Sequence, residues 1–171
     1  TVAAGKTETI SQSVDVANPK LWSVDSPNLY WVRTEIIQNG KVVDRTDSRF
    51  GIRYIATNPN SGFYLNGVHT KLNGVCEHSD LGSLGMETYQ AAVDRRIRTL
   101  KKYGVNAIRT SHNPVSPEFI EACDRLGMLV FEEAFDQWLY SKNSDDYHNY
   151  FNKAADGKTV VFDKAGNDNT N

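Results

Sequence analysis

The first third of the chain alternates apolar and polar residues with the period of β-strands. Alternation covers residues 7–16, and two β-rich runs at 29–38 and 41–50 flank Asn39-Gly40. Asn-Gly between two such runs predicts a hairpin, because both central residues of a type I′ turn need positive φ. We therefore expect antiparallel β-structure up to Tyr54, similar to the last strands of a β-sandwich.

A second Asn-Gly pair, Asn66-Gly67, lies between β-rich runs at 63–65 and 69–75 and predicts another hairpin. From Thr70 onward the pattern changes to alternating strands and helices. We expect strands at 70–75, 105–109 and 128–131. Repeated βα units predict a parallel sheet.

Two helices are expected between these strands. The first covers residues 86–103, with an apolar stripe and Gly104 as its stop signal. The second begins with Ser116 as a cap and Pro117 in its first turn, and Gly127 ends it.

Polar residues follow each predicted parallel strand. They lie at 76–80, 110–113 and 132–136. The carboxyl ends of parallel strands carry the active site in a (β/α)8 barrel and bind ligands in a Rossmann-type sheet. The sequence contains neither a GxGxxG nor a P-loop motif for phosphate. These three segments are therefore the candidate site of either fold.

Composition excludes several classes of protein. The 171 residues carry 21 acidic and 19 basic side chains, so we expect neither a nucleic-acid partner nor an anionic membrane partner. Cys76 and Cys123 are too few for a disulfide framework, and we expect both to be buried thiols. Residues 1–6 lack the apolar core of a signal peptide. We expect a soluble protein of bacterial type, either cytoplasmic or exported by a signal outside this chain.

Six motifs in order resemble glycoside hydrolase family 2, which contains β-galactosidases, β-glucuronidases and β-mannosidases. The resemblance covers roughly residues 18–152, and its most specific part is Lys-Lys-Tyr-Gly-Val-Asn-Ala-Ile-Arg-Thr-Ser-His-Asn-Pro at 101–114. Ala-Phe-Asp-Gln-Trp at 134–138 is more similar to the β-galactosidase branch. The other five motifs lie at 18–30, 49–53, 63–67, 72–80 and 123–138, and the last of these contains the Ala-Phe-Asp-Gln-Trp segment.

The resemblance implies an α+β chain assembled from parts of two domains. Residues 1–54 would be the C-terminal strands of an immunoglobulin-like β-sandwich, and residues 55–153 the first βα units of an incomplete (β/α)8 TIM barrel. Residues 154–171 have no counterpart in the family and stay unassigned. A complete barrel needs about 250 residues, so the expected parent protein is longer than this chain.

The family hydrolyses terminal β-glycosides with retention, which requires two carboxyl groups about 5–5.5 Å apart. Its acid/base glutamate follows an asparagine at the fourth barrel strand, and this sequence contains no Asn-Glu dipeptide. We therefore assign no catalytic residue and expect the 171-residue chain to be inactive by itself. The alternative is a non-catalytic carbohydrate-binding or structural module built on the same fold.

The resemblance implies substrate binding rather than catalysis for this chain. In the family, the histidines that match His78 and His112 contact sugar hydroxyls, and imidazole can both donate and accept. Arg109 either hydrogen-bonds a catalytic carboxylate or forms a structural salt bridge with Glu133. Asp80 either binds sugar or orients its loop. The predicted substrate-binding set is His78, His112, Asp80, Arg109, Asp136 and Trp138.

Two further residues are expected to support this set. Adjacent strand residues point to opposite faces, so Glu132 and Glu133 cannot flank one bond, and Glu133 is the one expected to face the site. Asn113 is the other supporting residue.

We predict no metal site in this chain, and a divalent cation stays open for the parent. The expected partner is a carbohydrate substrate, and the parent is expected to be a homo-oligomer.

Overall fold

The computed structural model describes residues 2, 5–134, 160–162 and 168–170, the last two segments as backbone only. Two compact units divide the chain, Thr1–Lys71 and Leu72–Asn171, which we call the N-terminal unit and the C-terminal unit. The boundaries predicted at 54/55 and 153/154 stay predictions, and most of the unassigned 154–171 segment lies outside the described residues.

The N-terminal unit contains two antiparallel sheets. Strands β1 (Tyr30–Gln38) and β2 (Lys41–Phe50) form a hairpin. Its turn is the predicted Asn39-Gly40, with φ of 51° and 75°. Strands β3 (Ile55–Asn58), β4 (Gly62–Leu65) and β5 (Val68–His69) form the second sheet in that order.

Trp22 is the buried anchor of the N-terminal unit, with 1% of its surface exposed. Its N–H donates to the Ile52 carbonyl at 2.8 Å, and its carbonyl accepts from Asn66 Nδ2 at 2.9 Å. The guanidinium of Arg53 lies 4.5 Å from the centre of its ring. These bonds join the segment before β1 to the second Asn-Gly turn, which positive φ at Asn66 and Gly67 confirms.

The strand predicted over residues 7–16 is wrong, because this segment has no strand structure and its side chains are exposed. A strand needs a hydrogen-bonding neighbour, and none of the described strands pairs with it. Alternation alone therefore overestimated the β-structure here.

The C-terminal unit contains a parallel sheet in the order β6 (Gly74–Glu77), β7 (Ala107–Thr110), β8 (Leu129–Glu132). Helix α1 (Gln90–Lys102) connects β6 to β7, and helix α2 (Pro117–Leu126) connects β7 to β8. A short 3-10 turn, Gly82–Leu84, precedes α1. The described backbone also includes an antiparallel pair, β9 (Val160–Phe162) and β10 (Asp168–Thr170).

The predicted βα order is confirmed, with shifted boundaries. Helix α1 begins four residues later than expected, at Gln90, and no side chain caps it at Tyr89. Ser116 caps α2 as predicted, because its hydroxyl accepts from the Phe119 N–H. The strand predicted at 70–75 is displaced to 74–77.

One hydrophobic core joins both helices to one face of the parallel sheet. Apolar residues of α1 repeat at the spacing of helical turns, which directs them to the sheet. The buried members are Val93, Ile97, Ile108, Phe119, Ala122, Cys123 and Met128. The opposite face carries Cys76, Arg109 and Phe131 in one register row, and Phe131 is 70% exposed there.

Candidate functional site

The carboxyl ends of β6, β7 and β8 bring the predicted polar segments to one edge of the sheet. Glu77, Thr110 and Glu132 are the last residues of these strands and lie in one register row. The residues that follow them are therefore neighbours in space, although up to 55 positions separate the first from the last.

His78 and His112 lie together at this edge. Their ring centroids are 5.9 Å apart, and the rings meet edge to face at 74°. The peptide between Ser111 and His112 is cis. Two imidazoles at this spacing present several ring nitrogens to one small volume, which suits a polyhydroxylated ligand.

Glu133 contacts two of the predicted substrate-binding residues, Arg109 and His112. Its Oε1 accepts from Arg109 Nε at 2.6 Å, and its Oε2 lies 3.0 Å from His112 Nδ1. The Glu133 N–H also donates to the Thr110 hydroxyl at 3.0 Å, which anchors the end of β8 on β7. The structural salt bridge considered for Arg109 is therefore present.

The charges of this cluster stabilise each other. Hydrogen bonding to Arg109 lowers the pKa of Glu133 below its usual range, and His112 adds to that effect. The same bond raises the pKa of Arg109. Glu133 is therefore held as a carboxylate, which suits a supporting role and does not suit a proton donor.

Cys76 is exposed, so the expectation of a buried thiol is wrong for this residue, whereas Cys123 is buried as predicted. Alternation along β6 directs Cys76 away from the helices. Arg109 Nη1 donates to its Sγ at 3.6 Å. Arg109 and the Ser111 hydroxyl lower the pKa of the Cys76 thiol. This contact was not predicted from the sequence, although Cys76 and Arg109 pair across the neighbouring strands β6 and β7.

Asn113 and Asp80 order the loops around the histidines. Asn113 Nδ2 donates to the Ser79 hydroxyl at 2.6 Å, which joins the loop after β6 to the loop after β7. The Asp80 carboxylate accepts from the Gly82 N–H at 3.3 Å. The backbone carbonyl of Asp80 accepts from the Arg96 guanidinium. This geometry agrees with the loop-orienting alternative for Asp80, and sugar binding by Asp80 stays a prediction.

A small cavity lies behind the loop after β6, between that loop and the start of α2. Its volume is about 50 Å³, and Glu77, Arg96 and Ser116 are among its lining residues. Pockets for drug-sized ligands are typically about 300–1,000 Å³, so this cavity is too small to hold a sugar ring.

Asp136 and Trp138 lie outside the described residues, so their predicted contacts with sugar stay predictions. Within the described part of the chain, no group of three or more histidine, cysteine, aspartate or glutamate side chains could hold a metal ion. No helix in that part is long and apolar enough to cross a membrane.

Comparison with protein-family models gives two matches that follow each other along the chain. The model of glycosyl hydrolases family 2 matches residues 1–53. The model of the TIM barrel domain of glycosyl hydrolases family 2 matches residues 57–163.

Curated relatives are similar over most of this chain. A β-galactosidase of Bacteroides ovatus is 44% identical over 150 residues, which are 88% of this chain and 18% of that protein. A putative β-glucuronidase of Formosa agariphila is 43% identical over 137 residues, which are 80% of this chain and 13% of that protein. The chain thus spans less than a fifth of the length of these relatives.

Solved structures show the same similarity. A glycosyl hydrolase family 2 member from Bacteroides cellulosilyticus aligns with a TM-score of 0.72 at 49% identity, covering 79% of this chain and 17% of that one. A β-glucuronidase from Parabacteroides merdae aligns with a TM-score of 0.64 at 34% identity, covering 70% and 15%. The similarity therefore extends from sequence to the arrangement of the backbone.

Proposed function

Because the chain belongs to glycosyl hydrolase family 2, we propose that it supplies part of the sugar-binding site of a retaining exo-β-glycosidase, most specifically a β-galactosidase. The observation that carries this proposal is the pairing of His78 and His112 at the carboxyl edge of the sheet, where their ring centroids are 5.9 Å apart. Both residues reach this edge from different strands, which is how a barrel assembles its active site.

The residues of this chain bind and orient in the proposed mechanism. The two histidines hydrogen-bond hydroxyls of the terminal sugar, and such bonds lower the barrier when they strengthen in the transition state. Glu133 holds His112 and Arg109 in place through bonds of 3.0 Å and 2.6 Å. Asp136 and Trp138 are proposed to complete the sugar contact.

The acid/base and nucleophile carboxylates are not assigned to any residue of this chain. Glu133 is a poor proton donor, because Arg109 lowers its pKa. We therefore propose that hydrolysis requires further parts of a longer protein, and that the 171-residue chain alone is inactive. The parent is proposed to act on carbohydrate and to assemble as a homo-oligomer.

The choice of galactose rests on similarity to a β-galactosidase over 88% of this chain and on the Ala-Phe-Asp-Gln-Trp segment at 134–138. Because a putative β-glucuronidase is almost equally similar, a glucuronide is the competing substrate. The experiment compares nitrophenyl β-galactoside, β-glucuronide and β-mannoside, with the natural full-length protein and the 171-residue chain assayed side by side.

We expect the full-length protein to release nitrophenol fastest from the galactoside and the short chain to release none. The anomeric configuration of the first-formed sugar, read by proton NMR, should be retained. Preference for the glucuronide would reject the galactosidase assignment. Failure of the full-length protein on every glycoside would favour the non-catalytic module.

A further inference from the structure

Glu133 contacts two basic side chains at once. Its Oε1 accepts from Arg109 Nε at 2.6 Å, and its Oε2 lies 3.0 Å from His112 Nδ1. An ionised carboxylate only accepts hydrogen bonds. A hydrogen bond between Oε2 and Nδ1 therefore requires the imidazole to supply the hydrogen, which is the Nδ1–H tautomer of His112.

Arg109 competes for the same imidazole nitrogen. Its Nη2 lies 3.3 Å from His112 Nδ1, and a guanidinium can only donate. Nδ1 cannot accept from Arg109 while it donates to Glu133, so the two contacts favour opposite tautomers of a neutral ring.

Distance and exposure favour Glu133 in this competition. The carboxylate contact is the shorter one, at 3.0 Å against 3.3 Å. The Glu133 side chain is only 16% exposed, whereas the Arg109 side chain is 42% exposed and can direct spare N–H groups to water. A partly buried carboxylate oxygen that loses its protein donor costs more free energy than an exposed N–H group that loses its protein acceptor, because water can replace the partner of the exposed group.

We propose that Glu133 is a positioning residue that holds neutral His112 as the Nδ1–H tautomer, so that Nε2 accepts a hydrogen bond from a sugar hydroxyl. This inference rests on the proposed function for the identity of the hydroxyl. The tautomer itself does not depend on that function. The hydroxyl that His112 contacts must then act as a donor, which a fluorine substituent cannot do.

The tautomer is measured directly by long-range proton–nitrogen NMR of the ¹⁵N-histidine-labelled chain at about pH 9, above the ordinary imidazole pKa of about 6.5. The unprotonated ring nitrogen resonates downfield of the protonated one. The chain has four histidines, so His112 is assigned as the signal missing from His112→Gln. We expect Nε2 of His112 to be the downfield nitrogen, and the reverse pattern in the unmutated chain overturns the proposal.

Glu133→Gln tests the cause. Arg109 should keep the amide oxygen, which leaves the amide NH₂ facing Nδ1 as a donor and reverses the His112 tautomer. Glu132→Gln is the matched control, since it makes the same change on the opposite face of the strand and should leave the His112 pattern unchanged.

Arg109→Met separates the two competing groups. We expect His112 to remain Nδ1–H in this variant, because Glu133 is still present. Reversal in Arg109→Met, or no reversal in a folded Glu133→Gln chain, contradicts a role for Glu133 in setting the tautomer.

The consequence for substrate is tested in the full-length protein with monofluorinated nitrophenyl β-galactosides. Replacing the hydroxyl that donates to Nε2 should lower kcat/KM at least about tenfold, the value of one hydrogen bond. The fall in kcat/KM caused by the fluorine should be smaller in Glu133→Gln, because Nε2 of His112 then carries the hydrogen and no longer accepts from the hydroxyl. An equal loss in both proteins overturns the hydroxyl assignment. Absence of hydrolysis in the unmutated protein rejects the proposed function and leaves the NMR result standing.

Discussion

At the residue scale, His78, His112 and Glu133 lie together at the carboxyl edge of the parallel sheet, where the sequence predicts them. The prediction worked because strand ends are visible as the point where apolar runs stop, and parallel strands place those ends side by side. The exposure of Cys76 was missed. A cysteine within a short apolar run is compatible with either face of a strand, and the packing of the neighbouring Val75 against the core shows which face the helices cover.

The two cysteines should react very differently with iodoacetamide. Cys76 is exposed, and Arg109 lowers its pKa. Burial raises the pKa of Cys123 to about 12. The thiolate is the nucleophile, so near neutral pH we expect mass spectrometry to find Cys76 alkylated long before Cys123. Similar rates at both thiols in the folded chain contradict this assignment, and urea-unfolded chain is the control in which the rates should converge.

At the element scale, the turns were more predictable than the strand ends. Both Asn-Gly turns were predicted, because positive φ at consecutive residues has a strong sequence signal. Residues 7–16 were predicted wrongly as a strand, because strand formation depends on a neighbour that alternation does not reveal. The start of α1 at Gln90 was predicted four residues too early for a different reason, since no capping side chain marks it.

The two turn glycines give a matched pair of substitutions. Gly40 and Gly67 have φ of 75° and 79°. A Cβ at Gly40 meets nothing within 4 Å, whereas a Cβ at Gly67 would lie 2.7 Å from the Tyr54 hydroxyl. Gly40→Ala should cost about 1 kcal/mol for its backbone conformation, and Gly67→Ala should cost slightly more, because the exposed Tyr54 ring must also move aside.

Urea unfolding measures both substitutions, with Gly67→Ala repeated in a Tyr54→Phe background. Removing the Tyr54 hydroxyl should return the cost of Gly67→Ala toward that of Gly40→Ala. If Gly40→Ala and Gly67→Ala lower the free energy of unfolding equally in the chain that keeps Tyr54, the Tyr54 hydroxyl does not restrict the turn.

A salt bridge between the helices gives a pH-dependent prediction. Arg125 Nη2 on α2 lies 2.6 Å from Asp94 Oδ1 on α1, and this bond lowers the pKa of Asp94. A lowered pKa means that the stabilisation is present above the unfolded-state value of about 3.9 and is lost as the pH falls through the folded-state value. Asp94→Asn should therefore destabilise the chain by about 0.5–1 kcal/mol near neutral pH.

Urea unfolding across pH measures this difference between the original chain and Asp94→Asn. The difference should shrink as the pH is lowered below about 4. A difference that stays constant down to the acid limit would show that the Asp94 charge contributes nothing to the contact between the helices.

At the scale of the whole molecule, similarity to known families identifies the fold, which the hydrophobic pattern alone left open. Strand and helix order predicted a parallel sheet that could belong to a barrel or to a Rossmann-type fold. Matches to both family 2 models, at residues 1–53 and 57–163, resolve that choice. Sugar preference stays a proposal, since β-galactosidases and β-glucuronidases are both among the similar proteins.

The central claim is that the edge carrying His78 and His112 binds the sugar. The most direct measurement is kcat/KM on nitrophenyl β-galactoside for the full-length protein with His112→Ala, against His69→Ala as the control. His69 lies on β5 of the N-terminal unit, and its ring contacts the Tyr64 ring at a tilt of 59° with centroids 5.3 Å apart. We expect His112→Ala to lower kcat/KM about 100-fold or more, as for the loss of a transition-state donor or acceptor, and His69→Ala to leave it unchanged. An unchanged kcat/KM in a folded His112→Ala enzyme would contradict the account.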